Sequence, residues 1–190
     1  MKKYELTDEY IEIGFVTKIK LYRIKALVAI ASIGVSAGDL GGYVEKESNL
    51  DQSGNAWVYG DAKVYGDAVV YGDAVVSGDA VVSGDAEVYG NAKVYGDAVV
   101  YGNAKVYGNA VVCGDAKVSE RSDIVWFSNV GTEYGTLTVF KTKQGVLWAT
   151  RGCFSGSVEE FLKKSAEVHD EKTKREYQLL IEVAKSRLGE

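Results

Sequence analysis

Residues Ser53 to Val118 read SGNAWV-YGDAKV-YGDAVV-YGDAVV-SGDAVV-SGDAEV-YGNAKV-YGDAVV-YGNAKV-YGNAVV-CGDAKV, eleven hexads with no gap and no insertion. A short fixed period with Gly at one place and small apolar residues at others is the signature of a parallel β-helix. Within each hexad Ala and Val stand two apart, from Ala56/Val58 to Ala116/Val118. Successive strand residues point to opposite faces, so Ala and Val share the inward one. The residue between them is Lys or Glu in five hexads, which predicts that the position, Trp57 included, faces solvent. Gly with Asp or Asn then supplies a corner, because Gly accepts positive φ and the acid or amide bonds nearby backbone N–H groups.

The run resembles the hexapeptide repeats of left-handed parallel β-helices, in which three hexads build one triangular coil. The aliphatic position and the small residue two before it match that pattern. Gly stands two places after the aliphatic residue here, where many such proteins have it one place after. The resemblance implies the left hand; general connection chirality favours the right. Eleven hexads at three per coil give a little under four coils, stacked ~4.8 Å apart. Val44 and Leu50 extend the Ala column backward by sixes and Ile124 extends the Val column forward, so an irregular face is expected at each end. Each inward Val contributes roughly 1.5–3 kcal/mol when fully buried.

The chain divides into an N-terminal β cap over 1–52, the repeat body over 53–123 and a C-terminal α+β module over 124–190. In the cap, Ile11, Ile13 and Phe15 alternate and Lys18 to Leu27 is a second strand, as in a hairpin. The predicted module has two strands, Gly135 to Thr142 and Gly145 to Thr150. Ser157 followed by Glu160 makes a capping box that opens a helix to about His169. A second helix, about Lys172 to Leu188, puts Tyr177, Leu180, Ile181, Ala184 and Leu188 on one stripe. The fold class is therefore mainly β: a β-helix of four to five coils with a small β cap and a strand-plus-two-helix unit.

Net charge is −5. Residues 53–118 hold eight acids and four lysines, −4 of the total; 1–52 hold eight acids and seven bases, and 119–190 balance at eleven each. An acidic prism argues against nucleic acid as its ligand. The opening MKKYELTDEY has no apolar run, so neither leader nor membrane span is expected. Two cysteines are too few for a disulfide framework and suit a reducing, cytoplasmic setting. Cys113 falls in a corner column expected to be accessible, and Cys153 just before a helix N-terminus, where a thiolate is favoured.

LYRIKAL, AGDLGGYVEKESNL, the YGDA/YGNA run, DIVWFSNVG and TRGCFSGSVEEF together resemble a family of small hexapeptide-repeat proteins encoded by phages and prophages, over nearly the whole chain. Members are often labelled transferases on the hexads alone, so the resemblance implies a fold and a viral origin. Hexapeptide-repeat acyltransferases share the prism but use a histidine base and an inserted loop; the γ-class carbonic anhydrases use three zinc-binding histidines. This chain has one histidine, His169, aligned with Phe161, Leu162 and Ser165 on the first helix. No catalytic, cofactor or metal residues are assigned, and the expected action is binding.

Two columns are candidate interfaces. Stacking by coils puts Asp61, Asp79, Asp97 and Asp115 on one edge, where neighbours repel by about 1 kcal/mol even in water. Turn chemistry explains them; calcium between adjacent turns and mimicry of nucleic-acid phosphates are the sharper alternatives. Tyr71, Tyr89 and Tyr107 form an aromatic ladder of the kind that marks an interface. Trp126, Phe127 and Phe154, in the exit motifs, complete the candidate set. Expected partners are further copies of the chain, as a trimer or dimer, and a host protein, with inhibition of a host defence system the leading role. A viral structural or assembly scaffold is the alternative, and an acyltransferase-like enzyme the third.

Overall fold

The computed structural model describes residues 2–189. It is mainly β: a β-solenoid of about four turns between a small N-terminal sheet and a C-terminal unit of strands and two helices. Chain order is β1 (Tyr4–Ile13), β2 (Ile19–Ala26), β3 (Leu40–Val44), then two-residue strands β4 to β14. These start at Trp57–Val58 and recur every six residues to Lys117–Val118. After them come β15 (Ile124–Val130), β16 (Gly135–Lys141), β17 (Leu147–Arg151), β18 (Phe154–Ser157), α1 (Val158–Val168) and α2 (Glu171–Leu188). None of the helices is long and apolar enough to cross a membrane among the described residues.

The solenoid has three parallel faces. One aligns Val64, Val82, Val100 and Val118; a second aligns Val58, Val76, Val94 and Val112; the third aligns Val70, Val88 and Val106. The repeat along each face is 18 residues, and every inward Ala and Val from Ala56 to Val118 is fully buried. Corners are bonded from coil to coil, as in Asp85 N–H to Gly102 O at 2.9 Å and Asn91 N–H to Gly108 O at 2.8 Å.

The first coil departs from the extrapolated columns. Val44 pairs with Val64 and Leu50 with Val70, 20 residues on instead of 18. Two extra residues, accommodated around 51–54, shift the register. Val44 and Leu50 therefore continue the Val rows, not the Ala column. Trp57 is the other correction: it is fully buried, because the cap covers its outward position. Tyr4 meets it edge-on at 6.3 Å, and the indole N–H has no partner among the described residues.

The cap is a hairpin that extends the first face to seven strands in the order β1-β2-β3 and onward down the coils. Tyr4 closes the prism, its hydroxyl lying 2.8 and 2.7 Å from Glu47 O and Leu50 O, two acceptors for its one proton. Lys3 Nζ donates to Ala56 O at 2.8 Å, and burial pulls its ammonium down to about 8. Phe15 does not continue the alternation of Ile11 and Ile13. The strand stops at Ile13, and Phe15 and Val16 stand fully exposed at the hairpin tip.

The C-terminal unit is a four-stranded antiparallel sheet, β15-β16-β17-β18, backed by both helices. Its sheet is larger than the two expected strands, since β15 and β18 flank them. Val130, Leu137, Val139, Phe161, Tyr177 and Ile181 belong to a core separate from the prism's. Ile124 and Phe140 join the prism core and close its last coil. The unit is fastened by Val111 N–H to Thr138 Oγ1 at 3.1 Å, Thr150 Oγ1–H to Val111 O at 2.8 Å and Lys143 N–H to Asp115 O at 2.9 Å.

Candidate binding edges and the junction groove

The tyrosine ladder follows from the repeat: each ring comes after the inward Val of Val70, Val88 or Val106 and is repeated one coil on. Tyr71 and Tyr89 stack at 4.7 Å and 4°, Tyr89 and Tyr107 at 4.9 Å and 7°. These distances equal the strand spacing, so the rings spend flat faces on each other and turn edges and hydroxyls to solvent. Tyr71 donates to Glu87 Oε2 at 3.2 Å, and Lys105 Nζ donates to Glu87 Oε1 at 2.5 Å. Burial, reinforced by Glu87, pushes the Tyr71 hydroxyl up to about 12, while the Lys105 ammonium holds the Glu87 carboxyl below its usual range. The ladder ends on Trp126 of β15, 4.5 Å from Tyr107 and at 90° to it.

Where β15 leaves the prism, this aromatic corner borders a groove of about 540 Å³. Tyr89, Tyr107 and Trp126 form one side, and Ile124 and Val125 add apolar surface. Three cations also line it: Lys105 from the last full coil, Arg121 from the 3-10 turn Arg121–Asp123, and Arg187 from the last turn of α2. Asp123 pins that turn, accepting from Ser119 N–H at 2.9 Å, Ser119 Oγ–H at 2.7 Å, Glu120 N–H at 3.0 Å and Lys141 Nζ at 2.9 Å. Burial works against ionisation there, yet the hydrogen bonds from Ser119 and Lys141 outweigh it and bring the carboxyl down to about 2. Lys105 is already paired with Glu87; Arg121 and Arg187 form no ion pair or hydrogen bond among the described residues.

The acid row lies on a different edge. Asp61, Asp79, Asp97 and Asp115 are all exposed. A cation stands near each end: Arg23 Nη2 is 3.8 Å from Asp61 and Lys143 Nζ 3.8 Å from Asp115. The row and the tyrosine ladder are thus two separate surfaces. No set of three or more His, Cys, Asp or Glu side chains is placed to hold a metal ion among the described residues.

The remaining predicted residues serve the C-terminal unit. Phe127 is half-buried against its core. Phe154 packs on Phe161 at 5.3 Å. Cys113 is buried, contrary to the expectation for its column, because β18 covers that corner and Ser155 Oγ lies 3.3 Å from its sulfur. Cys153 is exposed in the turn between β17 and β18, and the helix N-terminus is Val158, capped by Ser157. His169 is the C-cap of α1; its Nδ1 lies 3.1 Å from Ser165 Oγ and its ring 5.3 Å from Tyr177. Both Cys153 and His169 line a cavity of about 400 Å³ beside Arg151, a juxtaposition that the sequence does not announce.

Sequence reasoning also missed the outer face of α2. Leu179 and Val183, one helical turn apart, are 43% and 48% exposed, with Arg175 and Arg187 also exposed at the same spacing on either side. The signal was present as a second apolar pair off the buried stripe.

The repeat family described as YdcK beta solenoid repeat matches residues 62–78, 86–102 and 100–114. The chain is similar to that family over its prism alone; the cap, the groove's exit segments and the helices lie outside the match. No curated protein matches the chain.

Proposed function

We propose that this protein works by binding another protein and not by catalysis, with the prism as a rigid support and the C-terminal unit as the face that meets the partner. The observation that carries this reading is the exposed Leu179–Val183 pair. The unit already has a complete core on the inner side of α2, built on Tyr177, Ile181, Ala184 and Leu188, so the outer pair has no packing role within the chain. An apolar strip flanked by arginines is the form of a helix-borne anchor site. Engagement of His169 by Ser165 supports a structural role for the single histidine.

The resemblance to phage-encoded repeat proteins supplies the setting, the cytoplasm of an infected bacterium, and makes a host defence protein the partner of choice. Self-association, as a trimer or dimer, belongs to the prism. A viral assembly scaffold is the second reading, favoured by the partly exposed Val81 and Val99 on one solenoid face. Capture of tagged protein from the host bacterium separates them. One stoichiometric host protein is expected, lost at least about tenfold (1.4 kcal/mol) in the double variant Leu179→Asp, Val183→Asp with circular dichroism unchanged. Recovery of only the chain itself, or capture indifferent to the double variant, contradicts the reading.

A further inference from the structure

We infer that the junction groove is a binding site for a phosphorylated planar ring of nucleotide size, adjoining the protein-binding face and sharing Arg187 with its border. The groove's volume of about 540 Å³ lies in the range of small-molecule sites. Its chemistry has two halves. Half-buried Trp126, set at 90° to Tyr107, lines the groove together with the edges of Tyr89 and Tyr107, an aromatic wall against which a flat heterocycle packs. Arg121 and Arg187 face the same space without an ion pair or hydrogen bond among the described residues, Arg121 feeling the Glu87 carboxylate only at longer range. Guanidinium forks match phosphate oxygens in a way that a point charge does not. Lys105 adds a third cation whose charge Glu87 already offsets, leaving a surplus suited to a dianionic phosphate group.

The charge around the groove limits the length of the ligand. The prism carries −4 of the chain's −5, and the acids continue along its edges. On the corner edge beside the ladder, the residues level with Tyr89 and Tyr107 are Asn91 and Asn109, neutral where the acid row has Asp97 and Asp115. One coil further from the groove the same edge carries Asp73, which is exposed. A long polyanion running out of the groove along that edge meets this carboxylate, whereas a nucleotide does not reach it. The backbone holding Arg121 is fixed by the four hydrogen bonds to Asp123, and buried Leu188 anchors the turn bearing Arg187. The backbone segments that carry the two guanidiniums are therefore set in place before a ligand arrives, which lowers the cost of binding.

Titration calorimetry of the full chain tests this with ADP, GDP, CDP and UDP as probes, alongside adenosine, inorganic phosphate and a short oligothymidylate. At least one nucleoside diphosphate is expected to bind one-to-one, with adenosine and phosphate each at least about tenfold weaker. Arg121→Gln and Arg187→Gln should each weaken that diphosphate at least about tenfold, while Arg175→Gln, on the outer face of α2, leaves it unchanged. Should Arg121→Gln fail to fold, Arg121→Lys keeps the charge, loses the fork and should still weaken binding. Three results overturn the assignment: no nucleotide heat at several millimolar, tighter binding of the oligothymidylate than of any diphosphate, or diphosphate binding indifferent to both arginines. Leu179 and Val183 are outside the groove lining, so the uncharged double variant Leu179→Ser, Val183→Ser, which removes the apolar pair without placing a carboxylate one helical turn from Arg187, should lose protein capture and retain nucleotide binding; the two readings fail separately.

Discussion

Each corner of the prism depends on a backbone that only glycine adopts freely. Gly84 has φ +67°, and a Cβ placed on it would stand 2.9 Å from Gly102 N in the next coil, a backbone atom that cannot swing aside. Strain of this kind costs on the order of 1–3 kcal/mol. Gly84→Ala should therefore lower the unfolding free energy by that amount in chemical denaturation, and an unchanged midpoint would mean that the corners are looser than described. Glycine at this place in all eleven hexads made the corner legible in the sequence. Trp57 shows where that reading stops. Its column tolerates lysine elsewhere, and only the arrival of Tyr4 from a distant part of the chain turns an outward position into an interior one. Cys113 is the same case at the other end, exposed by its column and buried by β18.

At the scale of elements, strands with strict periods were readable and strands defined by their neighbours were not. The capping box Ser157–Glu160 and the stripe on α2 gave both helices nearly to the residue. β15, reading IVWFSNV, lacks clean alternation because Ile124 and Trp126 turn to the prism core and Val125 and Phe127 to the second one, and β18, reading FSGS, is only four residues long. The 20-residue first coil was hidden for a related reason: two residues added in a polar turn leave the hexad spacing on either side intact. The 3-10 turn at Arg121–Asp123 is the element on which the groove depends, and Asp123 sets its pH response. A carboxyl held down to about 2 against an ordinary 3.8 stabilises the fold fully above about pH 4 and loses that contribution as pH falls through 2. Asp123→Asn should thus cost on the order of 1–2 kcal/mol at pH 7, with the gap from the unsubstituted protein closing toward pH 2 in urea titrations. A gap constant with pH would assign the loss to packing instead of ionisation.

The whole molecule is one continuous core closed at both ends. Tyr4 and Ile24 seal the first coil, Ile124 and Phe140 the last, with stacked Ala and Val between them. Edges of a solenoid left open would template further strands, so both attachments have a structural reason to exist. The C-terminal unit exceeds that need: it has a second core, a cationic aromatic groove at its junction and an apolar pair on its outer helix. Of the groove's lining, the sequence disclosed Tyr89 and Tyr107, because the tyrosine ladder is written into the repeat. The groove draws on residues 89 to 187 and exists only once β15 and α2 have folded back over the last coil. The claim that function resides in this unit is tested most directly by photo-crosslinking in the host bacterium, with Leu179 in one variant and Val99 in another replaced by benzoylphenylalanine. The account predicts an adduct with one host protein from position 179 and none from position 99. Adducts formed solely between copies of the chain, or with a host protein from position 99 alone, would contradict it.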